Sequence, residues 1–346
     1  WSTTIRCGSS SLDVSTSLFF NVSVQPETLF QTAIAPPFAR SAFRCVAVSG
    51  IVTWACSLTF RYLQQLSQIA DYGGDMRIAF LGTGRMGTEL ALRLIEPGGH
   101  ELTVWNRTKD KTAHVAEAGA KVVDDPREAV QDADVVLTCL FGPSTVADVV
   151  LNSALLTPGT IWADITTISP DDARRQADWA TANRIRFVHT PVIGTLGPAR
   201  AGMLGVYVGS TDAEARELIG SVVAAYADPE RLQLMESAPE AATAKLLANL
   251  ALAVTAQGVS EAIRLGASQG LGAERVLDLL NSTALGWMAN FKRDFTLGGD
   301  TAAAQFSTNA IAKDVRLMLH TSADPLPATT AALESLTRAQ RGGLGE

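Results

Sequence analysis

The chain has few of the residues that form metal centres or disulfide frameworks. Its 346 residues include four cysteines and four histidines. None of these is spaced from another in the way that the ligands of a structural metal site are. We therefore predict no metal site, and we expect a reducing compartment, with the cytoplasm as the predicted location.

The chain also has little charge for its length. Only 18% of its residues are charged, and the formal net charge is -7. An acidic chain gives no electrostatic reason to expect nucleic acid or an anionic membrane as a partner. The hydrophobic share of 47% is enough for two domains that each have a core.

Residues 1–75 contain no lysine, and no helical or strand period persists in them. They hold eleven serines and three of the four cysteines, and the first methionine of the chain is Met76. We expect the native protein to begin at Met76, with a non-native and mostly disordered leader before it. The alternative is an organellar transit peptide, which the serine content and the low acidity also allow.

The strongest local signal is a glycine-rich turn after a short apolar run. Residues Arg77–Leu81 have strand character, and the residues after Gly87 carry apolar groups at helical spacing. A strand, a tight turn and a helix in this order form the phosphate grip of a dinucleotide-binding fold. Its glycines allow the turn, the approach of a pyrophosphate and close helix packing. We expect the cofactor to contact Gly82, Thr83, Gly84, Arg85, Met86 and Gly87.

A second predicted strand, Glu101–Trp105, ends about 20 residues past the glycines, where dinucleotide-binding folds place the residue that reads the ribose. An acid there would accept hydrogen bonds from a ribose 2'-hydroxyl and repel a 2'-phosphate. This chain has no acid at that point. Asn106, Arg107 and Thr108 instead offer donors and positive charge, so we predict NADP(H) in preference to NAD(H).

Between residues 76 and 238, predicted strands alternate with predicted helices, which is typical of a parallel sheet covered by helices. We predict an NADP-binding α/β Rossmann domain with a doubly wound, mainly parallel sheet. One strongly apolar strand, over residues 133–140, ends at the carboxyl edge of this sheet. We expect Leu140 and Phe141 to face the cofactor there.

Beyond residue 239 the strand pattern stops. We predict an all-helical C-terminal domain over residues 239–340, which binds substrate and dimerises, and a flexible tail over residues 341–346. Its first helix, predicted over residues 240–268, is so apolar that we expect it to be buried nearly all round. Such a helix needs partners beyond its own domain, so we predict a homodimer.

Within this long helix, Lys245 and Asn249 are four residues apart and therefore share one helical face. An ammonium group among alanines and leucines is costly to bury unless it reacts or is paired. Burial would lower its pKa toward a range useful for proton transfer. The alternative is that Lys245 extends its stem along the helix to solvent.

Taken together, these motifs resemble the NADP-dependent β-hydroxyacid dehydrogenase family, which includes the 3-hydroxyisobutyrate dehydrogenases. The similarity runs from Met76 to about Ala339. The motifs that carry it, in chain order, are Gly82–Gly87, Asn106–Thr108, Asp164–Pro170, Pro191–Gly194, Lys245 with Asn249, and Lys313 with Asp314.

The resemblance implies an enzyme that interconverts a small hydroxy acid and its aldehyde or keto acid by hydride transfer. It implies that Lys245 is the catalytic general acid or base and that Asn249 orients the reacting oxygen. It implies a nicotinamide near Thr167 and Gly194. The residues that it assigns to substrate binding are Ile193, Gly194, Thr195 and Lys313, of which Lys313 also contacts the cofactor.

The chain departs from the family pattern at Ile193. Family members carry a serine there that helps to hold the substrate carboxylate, and isoleucine has no side-chain donor. Either backbone N–H groups or Thr195 replace it, or the substrate is less acidic and more apolar. Two alternatives stay open: an imine reductase, because the related imine reductases share the fold, and a catalytically silent nucleotide-binding scaffold.

Overall fold

A sheet of nine strands, most of them parallel, runs through residues 77–235. The computed structural model describes residues 76–96, 100–299 and 306–345. The expectations for residues 1–75 lie outside these residues. The strands are β1 Arg77–Leu81, β2 Glu101–Trp105, β3 Lys121–Val122, β4 Val135–Thr138, β5 Ile161–Asp164, β6 Arg186–His189, β7 Val192–Ile193, β8 Leu204–Gly209 and β9 Ala227–Met235.

Strand order places a crevice at the carboxyl ends of β1 and β4. The order across the sheet is β3-β2-β1-β4-β5-β6-β8-β7, and β9 pairs with β8. The chain moves outward to β2 and β3 on one side of β1 and to β4, β5 and β6 on the other. The connections after β1 and β4 therefore diverge, which is the place where doubly wound sheets bind dinucleotides.

Helices cover the sheet and form all of the regular structure after residue 235 in the described part of the chain. The predicted α/β Rossmann fold with a helical C-terminal region is therefore confirmed. The helices are α1 Arg85–Ile95, α2 Ala113–Glu117, α3 Pro126–Val130, α4 Pro143–Val146, α5 Pro170–Ala182, α6 Leu196–Arg200, α7 Ala213–Val223, α8 Ala238–Ser268, α9 Ala273–Leu280, α10 Gly286–Phe291, α11 Arg293–Thr296, α12 Thr308–Thr321 and α13 Pro327–Arg341.

β1 is apolar and is buried on both faces, because alternate residues of a strand point to opposite sides of the sheet. Ile78 and Phe80 join an apolar cluster with residues of α1 and β2. Ala79 and Leu81 join a second cluster on the other face, which includes Trp162 of β5. The two clusters hold β1 firmly, so the glycine turn that follows it starts from a rigid strand.

The long helix α8 joins the sheet region to the helical region. It begins after Ser237, whose side chain accepts a hydrogen bond from the backbone N–H of Glu240. On one side α8 packs against α5 and β8, and on another it packs against α12 and α13. Side chains on α8 can therefore reach the carboxyl edge of the sheet from the helical region.

The expectation that this helix is buried nearly all round is wrong for a single chain. Leu247 and Leu265 of α8 are 62% and 69% exposed. The helix carries apolar residues on more faces than its neighbours in one chain cover. By length and a mean hydropathy of 1.4, α8 is also the one helix among the described residues that could cross a membrane. The predicted homodimer stays a prediction.

The sequence analysis predicts no strand within the Pro191–Gly194 motif, and there the structure has one. Val192 and Ile193 form β7, which pairs antiparallel with β8 through Val192 and Val206. A strand of two residues is too short to show an alternating pattern. Pairing with β8 fixes the backbone of this segment, which faces the helical region.

We predict that the three glycines of the turn differ sharply in their effect on stability. Gly82 has a φ of +109°, and an added Cβ would overlap the carbonyl oxygen of Cys139. A Cβ on Gly87 would overlap the carbonyl oxygen of Gly82, whereas a Cβ on Gly84 would meet no atom within 4 Å. G82A and G87A should each lower the free energy of unfolding by about 2 kcal/mol or more, and G84A by less than about 1 kcal/mol.

Urea denaturation of the three variants measures these differences. A loss for G84A as large as that for G87A would contradict the packing roles assigned to the turn.

Candidate active site

The glycine turn after β1 leaves space at the start of a helix. The backbone N–H of Gly82 donates to the carbonyl of Trp105 at 2.8 Å, which ties the turn to the end of β2. Helix α1 begins at Arg85, and no side chain caps its first N–H groups. The open space at Gly84 lies beside these N–H groups. Unpaired N–H groups and the positive end of the helix dipole suit the pyrophosphate of a dinucleotide.

Asn106 holds the glycine turn in place. Its side-chain oxygen accepts a hydrogen bond from the backbone N–H of Thr83 at 3.1 Å. Its amide nitrogen donates to the carbonyl of Thr108 at 2.7 Å. Both ends of the amide are therefore engaged within the protein. The structure gives Asn106 a part in shaping the turn, in addition to the cofactor contact that the sequence predicts.

Arg107 is a cation just after β2 that stays available to a ligand. Lys109, two residues later, forms an ion pair with Asp124 at 2.7 Å. Arg107 is exposed, and within the described part of the chain it forms no ion pair. Arg85 and Thr108 are exposed as well. A guanidinium without a carboxylate partner at this position is suited to bind a phosphate.

The end of β4 lies beside a lysine from the helical region. Phe141 is 58% exposed, and Lys313 Nζ lies 5.8 Å from the centre of its ring. Lys313 Nζ also donates to the carbonyl of Thr167 at 3.0 Å. The residues Leu140, Phe141, Thr167 and Lys313, which the sequence assigned to the cofactor, are thus brought to one edge of the sheet.

Lys245 points from α8 into the sheet region. Its Nζ donates to the carbonyl of Val192 at 2.7 Å and to the side-chain oxygen of Asn249 at 3.2 Å. The residue is only 9% exposed. The alternative that Lys245 extends to solvent is therefore wrong, and the lysine and asparagine meet as their spacing predicts.

Burial lowers the pKa of Lys245 to about 8, because the ammonium loses the water that stabilises its charge. The carboxylate of Asp314 raises this pKa, and the nearby ammonium of Lys313 lowers it. A lysine with a pKa near neutrality can both give and take a proton under ordinary conditions. This property is expected at catalytic sites and is uncommon elsewhere.

Asp314 is a site residue to which the sequence analysis assigned no role. Its Oδ2 accepts a hydrogen bond from Asn249 Nδ2 at 2.7 Å, and its Oδ1 forms an ion pair with Lys313 Nζ at 2.7 Å. Asp314 is 2% exposed. An acid next to a lysine in a helix usually lies on the protein surface, so the pattern alone did not assign it to the site. The one signal in the sequence was that its neighbour, Lys313, belongs to the predicted site.

Residues 193–195 directly follow Val192, whose carbonyl accepts a hydrogen bond from Lys245. They therefore lie close to this lysine. Ile193 is half-buried and carries no side-chain donor, whereas Gly194 is exposed with a φ of +138°. Thr195 precedes α6, and its side chain forms no cap for that helix. The backbone N–H groups and the Thr195 hydroxyl are the donors that this segment offers near Lys245.

Two family models match the described region. Residues 77–238 match the NAD binding domain of 6-phosphogluconate dehydrogenase. Residues 240–346 match the NAD-binding domain of NADP-dependent 3-hydroxyisobutyrate dehydrogenase. The two models together account for the sheet region and the helical region.

Relatives carry names of the same kind. A probable mitochondrial 3-hydroxyisobutyrate dehydrogenase of Dictyostelium discoideum is 30% identical over 217 residues, which cover 60% of this chain and 64% of that protein. An NAD-dependent L-serine dehydrogenase of Pseudomonas aeruginosa is 32% identical over 216 residues, which cover 61% of this chain and 70% of that protein.

Solved structures share the fold of this chain. The structure of Psf3 with NADP+ and 2-OPP has a TM-score of 0.67 and 25% identity, and the match covers 78% of this chain and 96% of that chain. Imine reductases and reductive aminases also occur among the structural neighbours, at less than 25% identity, which shows a shared fold alone.

We predict that D314N lowers the pKa of Lys245 below its wild-type value by roughly one unit, because a negative charge that favours the ammonium is removed. The variant keeps an oxygen that can accept from Asn249. NMR titration of lysine side chains measures the pKa directly. D324N removes the same charge from an exposed turn and should leave this pKa unchanged. An equal pKa in wild type and D314N would contradict the assigned coupling.

Proposed function

This chain belongs to the β-hydroxyacid dehydrogenase family of NAD(P)-dependent dehydrogenases and reductases, and we propose that it interconverts a small hydroxy acid and its aldehyde or keto acid with NADP(H). The observation that carries the proposal is the position of Lys245. This buried lysine reaches the carboxyl edge of the sheet that also bears the glycine turn.

The residues at the crevice fit a dinucleotide. The open space at Gly84 and the uncapped start of α1 are suited to a pyrophosphate. Leu140, Phe141 and Thr167 would line the nicotinamide end. When bound, the cofactor would supply or accept the hydride. We place the substrate between the sheet region and the helical region, beside Lys245.

Lys245 would exchange the proton. Its ammonium has three N–H donors, and Val192 and Asn249 accept two of them. The third is left for the oxygen of a substrate. Below about pH 8 the ammonium form can donate a proton to a carbonyl oxygen during reduction. Above that pH the neutral amine can take a proton from a hydroxyl during oxidation.

Asn249 and Asp314 would keep this lysine in place. Asn249 accepts from Lys245 and donates to Asp314, so its amide orientation is determined at both ends. Asp314 also pairs with Lys313. In this role Asn249 acts mainly on the lysine, and through it on the reacting oxygen that the sequence analysis assigned to it.

The substrate carboxylate would bind the donors of segment 193–195. Ile193 supplies no hydrogen bond, which leaves the backbone N–H groups and the Thr195 hydroxyl. An apolar side chain beside these donors favours a substrate with a carboxylate and an apolar substituent. We retain the homodimer in this proposal, because α8 exposes Leu247 and Leu265 in the single chain.

We predict that K245A lowers turnover by about 100-fold or more, since general acid–base catalysis contributes roughly 100- to 10,000-fold. Its affinity for NADPH should stay within about threefold of wild type. Initial rates with a panel of small aldehyde acids, and fluorescence titration with NADPH, measure the two effects. K121A, which alters an exposed lysine of β3, serves as the matched control.

The panel also separates the alternatives. If K245A turns over substrate as fast as the wild type does, Lys245 is not the general acid or base. Faster oxidation of NADPH with cyclic imines than with aldehyde acids would favour an imine reductase. Tight NADPH binding without turnover on any substrate would favour the scaffold.

We predict that R107A weakens NADPH binding by about 10-fold or more and leaves NADH binding unchanged, because a charge-assisted hydrogen bond to the 2'-phosphate is lost. K109A is the matched control, since Lys109 is already paired with Asp124. Titration of each variant with both cofactors measures the effect. An equal loss for NADPH and NADH would show that Arg107 does not read the 2'-phosphate.

A further inference from the structure

A fully buried carboxylate lies at the end of β5, beneath the edge that faces the crevice. Asp164 is 0% exposed. Its Oδ1 accepts hydrogen bonds from Thr138 Oγ1 at 2.8 Å and from the backbone N–H of Thr166 at 3.1 Å. Trp162 Nε1 in turn donates to Thr138 Oγ1 at 3.0 Å. The carboxylate therefore orders groups on two neighbouring strands.

The cost of burying this group indicates that its hydrogen bonds matter. Taking an ionised carboxylate out of water is unfavourable unless donors replace the lost hydration. Burial accordingly raises the pKa of Asp164 to about 6, while the hydrogen bonds from Thr166 and Thr138 oppose that rise. Asp164 has no part in the proton transfer proposed for Lys245.

Thr166 connects Asp164 to the segment that follows β4. Its hydroxyl oxygen accepts a hydrogen bond from the backbone N–H of Leu140 at 3.0 Å. The paired register of β4 and β5 ends at Thr138 and Asp164. The Asp164 side chain binds Thr138 at the last paired residues, and the Thr166 side chain binds Leu140 beyond them. The backbone segments that follow β4 and β5 are therefore held close together.

The segment that follows β5 also contacts the helical region. The carbonyl of Thr167 accepts a hydrogen bond from Lys313 Nζ at 3.0 Å. The segment from Asp164 to Thr167 therefore contacts both Leu140, on the cofactor side, and Lys313, on the substrate side. A shift of this segment would displace both.

We propose that Asp164 is a positioning residue, which through Thr166 holds Leu140 and Phe141 where a dinucleotide binds. The inference rests on the proposed function, because it needs a dinucleotide at this edge of the sheet. Asp164 itself would not touch the cofactor, since its side chain is fully buried.

The environment of Asp164 provides a conservative variant. Gln176 of α5 lies beside the carboxylate and is 2% exposed. In D164N, the side-chain oxygen can still accept from Thr138 and Thr166, and the new amide can donate to the oxygen of Gln176 once the Gln176 amide has turned over. D164A removes the acceptor altogether. Rescue by D164N relative to D164A would therefore show that the acceptor, and not the charge, does the positioning.

T166V tests the last step of this chain of contacts without removing a buried charge. Valine has nearly the shape of threonine but cannot accept the N–H of Leu140. T190V is the matched control, because Thr190 is also fully buried at the end of a neighbouring strand, and its hydroxyl has no hydrogen-bond partner among the described residues.

Titration of each folded variant with NADPH gives the main measurement. We expect T166V and D164A to raise the Kd about 10-fold, and D164N and T190V to stay within about threefold of wild type. Wild-type affinity in both T166V and D164A would overturn the proposal. If D164A does not fold, T166V against T190V decides whether the Leu140 contact positions the cofactor, and wild-type affinity in T166V alone then overturns the proposal.

Amide hydrogen exchange in the absence of cofactor gives a second, local measurement. T166V should speed the exchange of the Leu140 amide about 10-fold or more. The Cys139 amide, which donates to the backbone carbonyl of Leu81 at 2.9 Å, should keep its rate. Unchanged exchange at Leu140 would overturn the assigned contact, and faster exchange with unchanged NADPH affinity would overturn the functional part of the inference.

Failure of the proposed function would be recognisable as a separate result. In that case the wild-type chain would bind neither NADPH nor NADH, whereas the exchange of Leu140 would still respond to T166V. A wild type that binds NADPH, with variants that bind it equally well, would count against Asp164 alone.

Discussion

The candidate site depends on one hydrogen bond between the helical region and the sheet region. Lys245 comes from the long helix α8, and its ammonium donates to the carbonyl of Val192 at 2.7 Å. The backbone of Val192 is fixed in turn by its pairing with β8. Because the donor and the acceptor belong to different layers of the molecule, the lysine takes its position only when the helix is docked on the sheet.

The cost of burying Lys245 explains the groups around it. Two ammonium groups, on Lys245 and Lys313, share the buried carboxylate of Asp314 as the nearest opposite charge. Asp314 pairs directly with Lys313 and reaches Lys245 through Asn249. This division leaves the pKa of Lys245 at about 8, since burial is only partly compensated. A complete ion pair would hold the lysine permanently charged and would suit proton transfer less well.

Prediction succeeded where the chemistry is local to a few consecutive residues. The turn at Gly82–Gly87 requires residues without side chains, so it is visible in the sequence and matches the structure. The helix that carries Lys245 and Asn249 is visible as a long run rich in alanine and leucine, and the meeting of these two residues follows from a spacing of four. Prediction failed for β7, which has only two residues, and for the burial of α8 within a single chain, because Leu247 and Leu265 depend on neighbours that no local pattern encodes.

The sequence by itself determined the alternation of strands and helices, the glycine turn, the cationic end of β2 and the candidate lysine, because each depends on residue types at short spacing. Only the tertiary structure decided that Lys245 turns inward, that Asp314 links Asn249 to Lys313, and that Asp164 supports the end of β4. These contacts join residues that are 26 to 65 positions apart. They form only when the helices dock on the sheet, because docking buries the polar groups of both layers and so decides which of them pair with one another.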